Sequence, residues 1–132
     1  ITVHIESKSK VNAFYDEDRI VQVITNLLSN AIKFCPEIDG LITIQIKEKN
    51  NFIHTFVQDN GKGIQSNDFD AIFDKFYQST NQNIKKPVGS GLGLAICKQI
   101  MEYHKGKIWA ELCANGASIV FTLPENNVIE NI

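Results

Sequence analysis

The sequence predicts an α+β fold, a two-layer sandwich in which helices pack on one face of a mixed, mostly antiparallel sheet. Two observations lead there. Strand-like alternation comes in neighbouring pairs around Asn50-Asn51 and Asn115-Gly116, which are hairpin signals. Between and before these pairs lie two stretches of helical periodicity, each apolar along a single stripe that must be buried against another layer.

Each element follows from local pattern. Ile1 to Ile5 alternates and reads as a strand, with Val11 to Tyr15 as a possible short partner. Asp16 opens a helix running to Phe34, whose stripe is Ile20, Val23, Ile24, Leu27, Leu28, Ala31 and Ile32. Pro36 ends it, because proline lacks the N–H and restricts the residue before it. Leu41 to Lys49 alternates, turns at Asn50-Asn51, and returns as Phe52 to Gln58. A short helix is expected over Asp68 to Phe73, then a polar loop over Gln78 to Val88 that orders on demand. Leu92 to His104 is helical, with Leu92, Ile96, Ile100 and Tyr103 in register. Lys107 to Cys113 and Ala117 to Leu123 close the fold as a strand pair turning at Asn115-Gly116. The domain spans residues 1–124, and the tail 125–132 is expected to fray.

Composition sets limits. With 132 residues, 43% apolar and 21% charged, the chain makes one domain with a real core. A chain of this length buries roughly two thirds of its unfolded surface and needs no staples. Thirteen basic against fifteen acidic residues leave no excess charge to neutralise nucleic-acid phosphates. Cys35, Cys97 and Cys113 are odd in number and form no C-x-x-C pair, so a disulfide scaffold or zinc knuckle is poorly supported and a reducing compartment fits. No apolar run approaches a membrane span, and neither a signal peptide nor an initiator Met is present, as expected of a soluble domain excised from something longer.

Three segments carry chemistry. Opposite the apolar stripe of the first helix, Arg19, Gln22, Asn26, Asn30 and Lys33 share one arc: amides flanked by cations, where a solvated face is normally Glu- and Lys-rich. Carboxamide oxygens are hard ligands for Mg²⁺, and a Lys one turn on can meet phosphate oxygens. Taken alone, the arc reads first as a solvent face that tolerates Asn26 and Asn30 at a cost of about a few tenths of a kcal/mol each. Asp59-Asn60-Gly61-Lys62-Gly63 comes directly off a strand, where glycines let the backbone approach a planar ligand and Asp59 can accept from an amine; it also reads as an ordinary turn. Gly89-Ser90-Gly91-Leu92-Gly93 opens a helix, where phosphates bind. It fits neither common phosphate motif. The dinucleotide fingerprint would need glycine at Leu94 or Ile96, and no G-x-x-x-x-G-K-[ST] run exists.

Together these segments resemble the nucleotide-binding domain of sensor histidine kinases, within the GHKL group that also holds gyrase-type ATPases and MutL. Gln22 to Phe34 is similar to its N box, Asp59 to Ile64 to G1, Phe73-Asp74-Lys75-Phe76-Tyr77 to the F box, and Gly89 to Leu94 to G2. Each motif alone is weak; four in order over nearly the whole chain are specific, and they overturn the solvent-face reading of the first helix. The resemblance implies ATP and Mg²⁺ as cofactors. Asn30 would bind Mg²⁺ with Asn26 nearby, and Lys33 would meet the phosphates. Asp59 would accept from the exocyclic amine of adenine, with Gly61, Gly63 and Ile64 lining the base. Lys75 and Tyr77 belong to the F box, residues 78–88 would be the mobile lid, and Gly89, Ser90, Gly91, Leu92 and Gly93 would offer the G2 segment to the phosphates.

Two departures stand out. The gyrase-like ATPases carry Glu, as general base for water, where this chain has Asn26, which takes no proton at neutral pH. Many kinases of the group carry Arg just after the F box; here it is Gln78, which leaves Lys75, Lys85 or Lys86 to supply that charge. His4, His54 and His104 do not sit in the family's acceptor motif; His54 reads as packed or surface and His104 as a helix cap. The acceptor would lie on a histidine-bearing dimerisation domain of the same protein, with a response regulator downstream. The parent would be a homodimer anchored in the membrane, and this domain cytoplasmic without membrane contact of its own. The expected function is transfer of the ATP γ-phosphate to that histidine. The alternatives are an ATP hydrolase driving a conformational cycle and a degenerate binding module. Cys97 and Cys113 read as small core residues, Cys35 as partly exposed, and Trp109 as core or sheet packing.

Overall fold

The fold is organised by the helix that Asp16 opens. In the computed structural model, which describes residues 1–7, 11–75 and 92–126, this helix is α1, Glu17–Phe34. The Asp16 carboxylate accepts from the Arg19 N–H at its N-terminus, and Glu17 and Asp18 favour the same positive dipole end. Its stripe is narrower than the periodicity implies. Ile20, Val23, Leu27 and Ala31 are buried, Ile24 and Leu28 pack on the core's margin, and Ile32 stays 50% exposed on the helix flank.

Among the described residues the sheet has five strands in the order β1-β2-β3-β5-β4. These are β1 (Thr2–Ser7), β2 (Leu41–Lys49), β3 (Phe52–Asp59), β4 (Ile108–Glu111) and β5 (Ser118–Pro124). β1 runs parallel to β2, with Val3 opposite Ile42, and every other pairing is antiparallel. The β2–β3 hairpin turns at Asn50 and Asn51, both at positive φ, as a two-residue turn matched to sheet twist requires. Ile42, Ile44, Val57, Ala110, Ile119, Phe121 and Leu123 face the helices and form one core with α1 and with α2 (Gly93–Tyr103). On the opposite face His54 stacks on Phe56 and meets the edge of Trp109, both neighbours of the fully buried Val120. His54 and Trp109 are thus sheet packing, as read from the sequence.

Several expectations give way. Residues 11–15 are assigned to no strand: Val11 and Ala13 are half-buried, and among the described residues the segment's backbone contact is the Asn12 carbonyl, which accepts from the Asn126 N–H at 2.7 Å. The expected helix at 68–73 is two separate 3₁₀ turns, Ser66–Asp68 and Ala71–Phe73, which bury Ile72 and Phe73. β4 stops at Glu111, so Cys113 lies half-buried in the connection 112–117 and is no strand residue. Tyr103 is 80% exposed at the end of α2 and leaves core packing to Cys97, Ile100 and Met101.

His104 does cap α2 and also does more. Its Nε2 accepts from the Asp16 N–H at 2.9 Å, so the ring is neutral there and Nδ1 carries the proton it donates to the Ile100 carbonyl. The end of α2 is thereby tied to the start of α1. Beyond it the chain makes paired reverse bonds, Gly106 N–H to the Met101 carbonyl and Lys105 N–H to the Glu102 carbonyl. Lys105, rather than a glycine, takes the left-handed conformation (φ 60°). Glycine is needed one residue later, where a Cβ on Gly106 would stand 1.8 Å from the Thr122 carbonyl oxygen.

Candidate functional site

Asp59 ends β3 and its side chain is 5% exposed. Its backbone N–H donates to the Ala117 carbonyl, and its Oδ1 accepts from the Gly61 N–H at 2.8 Å. Among the described residues no cation pairs with it. Burial pushes its carboxyl above the usual range, and the backbone N–H groups of Gly61 and Ala117 offset only part of that. A carboxylate in such a place has acceptor capacity left for a donor brought by a ligand.

The turn after Asp59 is shaped by close backbone approaches. A Cβ on Gly61 would come 2.1 Å from the Phe34 carbonyl oxygen at the end of α1. Gly63 has φ +84° and lies against Gly116, which itself has φ +96°. A Cβ on Gly116 would stand 1.8 Å from the Asp59 carbonyl oxygen, so the connection 112–117 passes directly against Asp59 and Asn60. This support was missed in the sequence, where Asn115-Gly116 carries the signal of a plain hairpin turn. Ile64 is half-buried against the core margin.

On α1, Asn26 and Asn30 are half-buried and Lys33 is exposed in the last turn. The Asn26 amide donates to the carbonyl of Gly93, the first residue of α2, at 3.2 Å. Two expected segments, the amide-bearing helix and the glycine-rich one, are therefore in direct contact, and Gly61 against Phe34 brings the third to the same helix. Leu92 sits just before α2 and is half-buried; among the described residues no side chain caps this helix, and its first turn holds no acidic residue. Lys75 is exposed beyond the second 3₁₀ turn. Tyr77, Gly89, Ser90 and Gly91 lie outside the described residues, as do the expected lid at 78–88 and Gln78, Lys85 and Lys86.

The cysteines do not compete for the chemistry. Cys97 is fully buried against the Val23 carbonyl, and burial pushes its thiol up to about 11, despite a contact with Asn26 that works the other way. Cys35, expected to be partly exposed, is buried and donates to Asn60 Oδ1. Among the described residues no cluster of His, Cys, Asp and Glu could hold a metal by itself. The donor set suits instead an ion that keeps waters and arrives with phosphates: carboxamide oxygens of Asn26 and Asn30 are the hard ligands Mg²⁺ takes. Among the described residues no helix is long and apolar enough to cross a membrane.

Comparison with known proteins shows the family. Residues 15–127 match the family of histidine kinase-, DNA gyrase B- and HSP90-like ATPases. The chain is 41% identical over 112 residues to the sensor histidine kinase WalK of Bacillus subtilis, covering 83% of this chain and 18% of that protein. With WalK of Staphylococcus aureus the identity is 38% over 120 residues, covering 89% of this chain and 29% of that one. The chain thus spans under a third of the length of these relatives. Among solved structures, the nucleotide-free catalytic domain of the histidine kinase ThkA superposes with a TM-score of 0.78 at 32% identity, covering 93% of this chain and 77% of that one. ThkA has also been solved in complex with the response regulator TrrA. The fold, the order of the motifs and these matches agree: the chain belongs to the histidine kinase-, DNA gyrase B- and HSP90-like ATPases, and within them it is a catalytic, ATP-binding domain of the sensor histidine kinase type.

Proposed function

We propose that this domain binds Mg²⁺-ATP and presents the γ-phosphate to a histidine on a separate dimerisation domain of the same protein. The observation that carries the reading is Asp59. A carboxylate buried at the end of β3 with no cation beside it among the described residues is unfavourable for the fold by itself. A ligand amine offsets that burden, and the exocyclic amine of adenine is such a donor, whereas guanine offers a carbonyl there.

From that anchor the other roles follow. Gly61 and Gly63 keep the backbone flat beside the base, and Ile64 lines it. Asn30, with Asn26 one turn earlier, would hold Mg²⁺, which when bound neutralises phosphate charge. Lys33 meets phosphate oxygens, and Leu92 and Gly93 bring them to the start of α2, where helix N–H groups lack intrahelical acceptors. Gly89, Ser90 and Gly91 extend that segment, and Lys75 and Tyr77 join the site through the F box. Asn26 cannot take a proton from water, so the site is built to position ATP for transfer rather than to hydrolyse it. The hydrolase reading lacks its base. A response regulator would take the phosphoryl group onward, in a homodimeric, membrane-anchored parent whose cytoplasmic part includes this domain.

The test is calorimetric titration with ATP and with GTP, each with and without Mg²⁺. The expected result is Mg²⁺-sensitive binding of ATP at least tenfold tighter than GTP. In the Asn30→Ala variant ATP still binds but its Mg²⁺ dependence disappears. No binding of either nucleotide at about millimolar concentration, beyond roughly −4 kcal/mol, overturns the reading in favour of a degenerate binding module. Mg²⁺ dependence that survives Asn30→Ala places the ion elsewhere.

A further inference from the structure

Asn60 lies between Asp59 and Gly61, yet its side chain is spent away from any ligand. Its Oδ1 accepts from the Leu41 N–H at 2.8 Å and from the Cys35 thiol at 3.3 Å, and its Nδ2 donates to the Asp39 carbonyl at 2.9 Å. Its own backbone N–H donates to the Leu41 carbonyl at 3.2 Å. These partners are Cys35 at the end of α1, Asp39 in the connection from α1 to β2, held there at φ +60°, and Leu41, the first residue of β2. On the other side, Gly116 is packed against the Asp59 carbonyl and the Asn60 Cα, and Gly61 against the Phe34 carbonyl. The segment 59–61 is thus wedged between two connections, with Asn60 as its polar latch to α1.

We propose that Asn60 is a positioning residue for base selection: its carboxamide latches Asp59 to the end of α1, fixing where the purine-reading carboxylate stands relative to the helix that carries Asn26, Asn30 and Lys33. The proposal rests on the reading of Asp59 as the adenine contact. Discrimination between ATP and GTP needs a donor–acceptor match at a fixed point, because a hydrogen bond weakens steeply when its geometry loosens. Without the latch, Asp59 keeps its chemistry and loses its address. The carboxamide oxygen is fully engaged by Leu41 and Cys35, and one Nδ2–H by Asp39.

The test measures ATP and GTP dissociation constants and Tm for the wild-type chain, Asn60→Ala, Asp59→Asn and the double variant. Asn60→Ala is expected to weaken ATP at least fivefold and GTP much less, so that the ATP:GTP ratio falls. In the Asp59→Asn background the same change should leave the ratio where it was, since the latch acts through Asp59. A role in stability alone lowers Tm and leaves the ratio of the folded protein unmoved, and that result overturns the latch. If the alanine variant does not fold, Asn60→Asp keeps the accepting oxygen, loses the donor to Asp39, and is read the same way. A wild-type chain that binds no ATP overturns the nucleotide reading and the latch together. Wild-type binding with a lowered ratio in Asp59→Asn but an unchanged ratio in Asn60→Ala overturns the latch alone; an unchanged ratio in Asp59→Asn overturns the Asp59 reading with it.

Discussion

The two helices begin in opposite ways. α1 starts under the Asp16 carboxylate with Glu17 and Asp18 in its first turn, so its dipole end is satisfied from within the chain. Among the described residues α2 starts at Gly93 with no side-chain cap and no acidic residue in its first turn, and its neighbour there is an amide, Asn26. The first end is finished as structure. The second is kept clear of negative charge, which suits a helix start that receives an anion. One chain can therefore cap one helix with an acidic side chain and keep the first turn of the other free of acidic residues.

The largest effect is expected from making the second end like the first. Gly93→Asp has room, since a Cβ there would lie 3.8 Å from the Asn26 amide nitrogen. It should hold or raise Tm through the helix dipole and weaken ATP on the order of a hundredfold by like charge against the phosphates. Wild-type affinity in this variant would move the phosphates away from α2.

Asp59→Asn is expected to weaken ATP at least tenfold, about 1.4 kcal/mol, by removing a charge-assisted bond. Its effect on stability has the opposite sign. Burial raises the Asp59 pKa above its unfolded value, so whatever stability this group contributes is fully present below the unfolded pKa and lost as pH rises through the folded one. At neutral pH the buried charge is a burden, and the variant, which keeps an oxygen for the Gly61 N–H, should melt higher at pH 7 than the wild type. That gap should narrow on acidification, and thermal melts from pH 7 to pH 4 would read it. A gap that widens instead would contradict the burial argument.

The smallest effect is the mirror of the first. Asp16→Ala should lower stability by about 1 kcal/mol through loss of the cap and leave ATP affinity unchanged. If this variant loses affinity without losing stability, the contrast between the helix ends fails.

The parts of this molecule legible in its sequence are those decided by near neighbours. The Asn50-Asn51 hairpin was legible because left-handed residues are rare and Asn is one of the few that accept them. So was α1, where a stripe, an N-cap and a terminating Pro36 all agree. The candidate site was legible as motif order: Asn26, Asp59 and Gly93 stand out by residue type, and the structure then links Asn26 to Gly93. What was not legible depends on partners far along the chain. Val11 to Tyr15 has the alternation of a strand but is assigned to none among the described residues. Cys35 follows a helix end that looks open, and is closed by Asn60. Gly116 looks like a turn glycine, and the carbonyl it must avoid belongs to Asp59.

The junction after α2 shows why residue order carries more than composition. Positions 105 and 106 each make a demand that glycine meets best, one torsional and one spatial, and the chain has a single glycine for both. A left-handed lysine is tolerable, because the strain is of order 1 kcal/mol and can be spread over the surrounding bonds. A methyl group set against the Thr122 carbonyl has no comparable compromise. The chain places its glycine where the demand is steric and lets lysine bend, so two sequences of identical composition, Lys-Gly and Gly-Lys, would encode different corners.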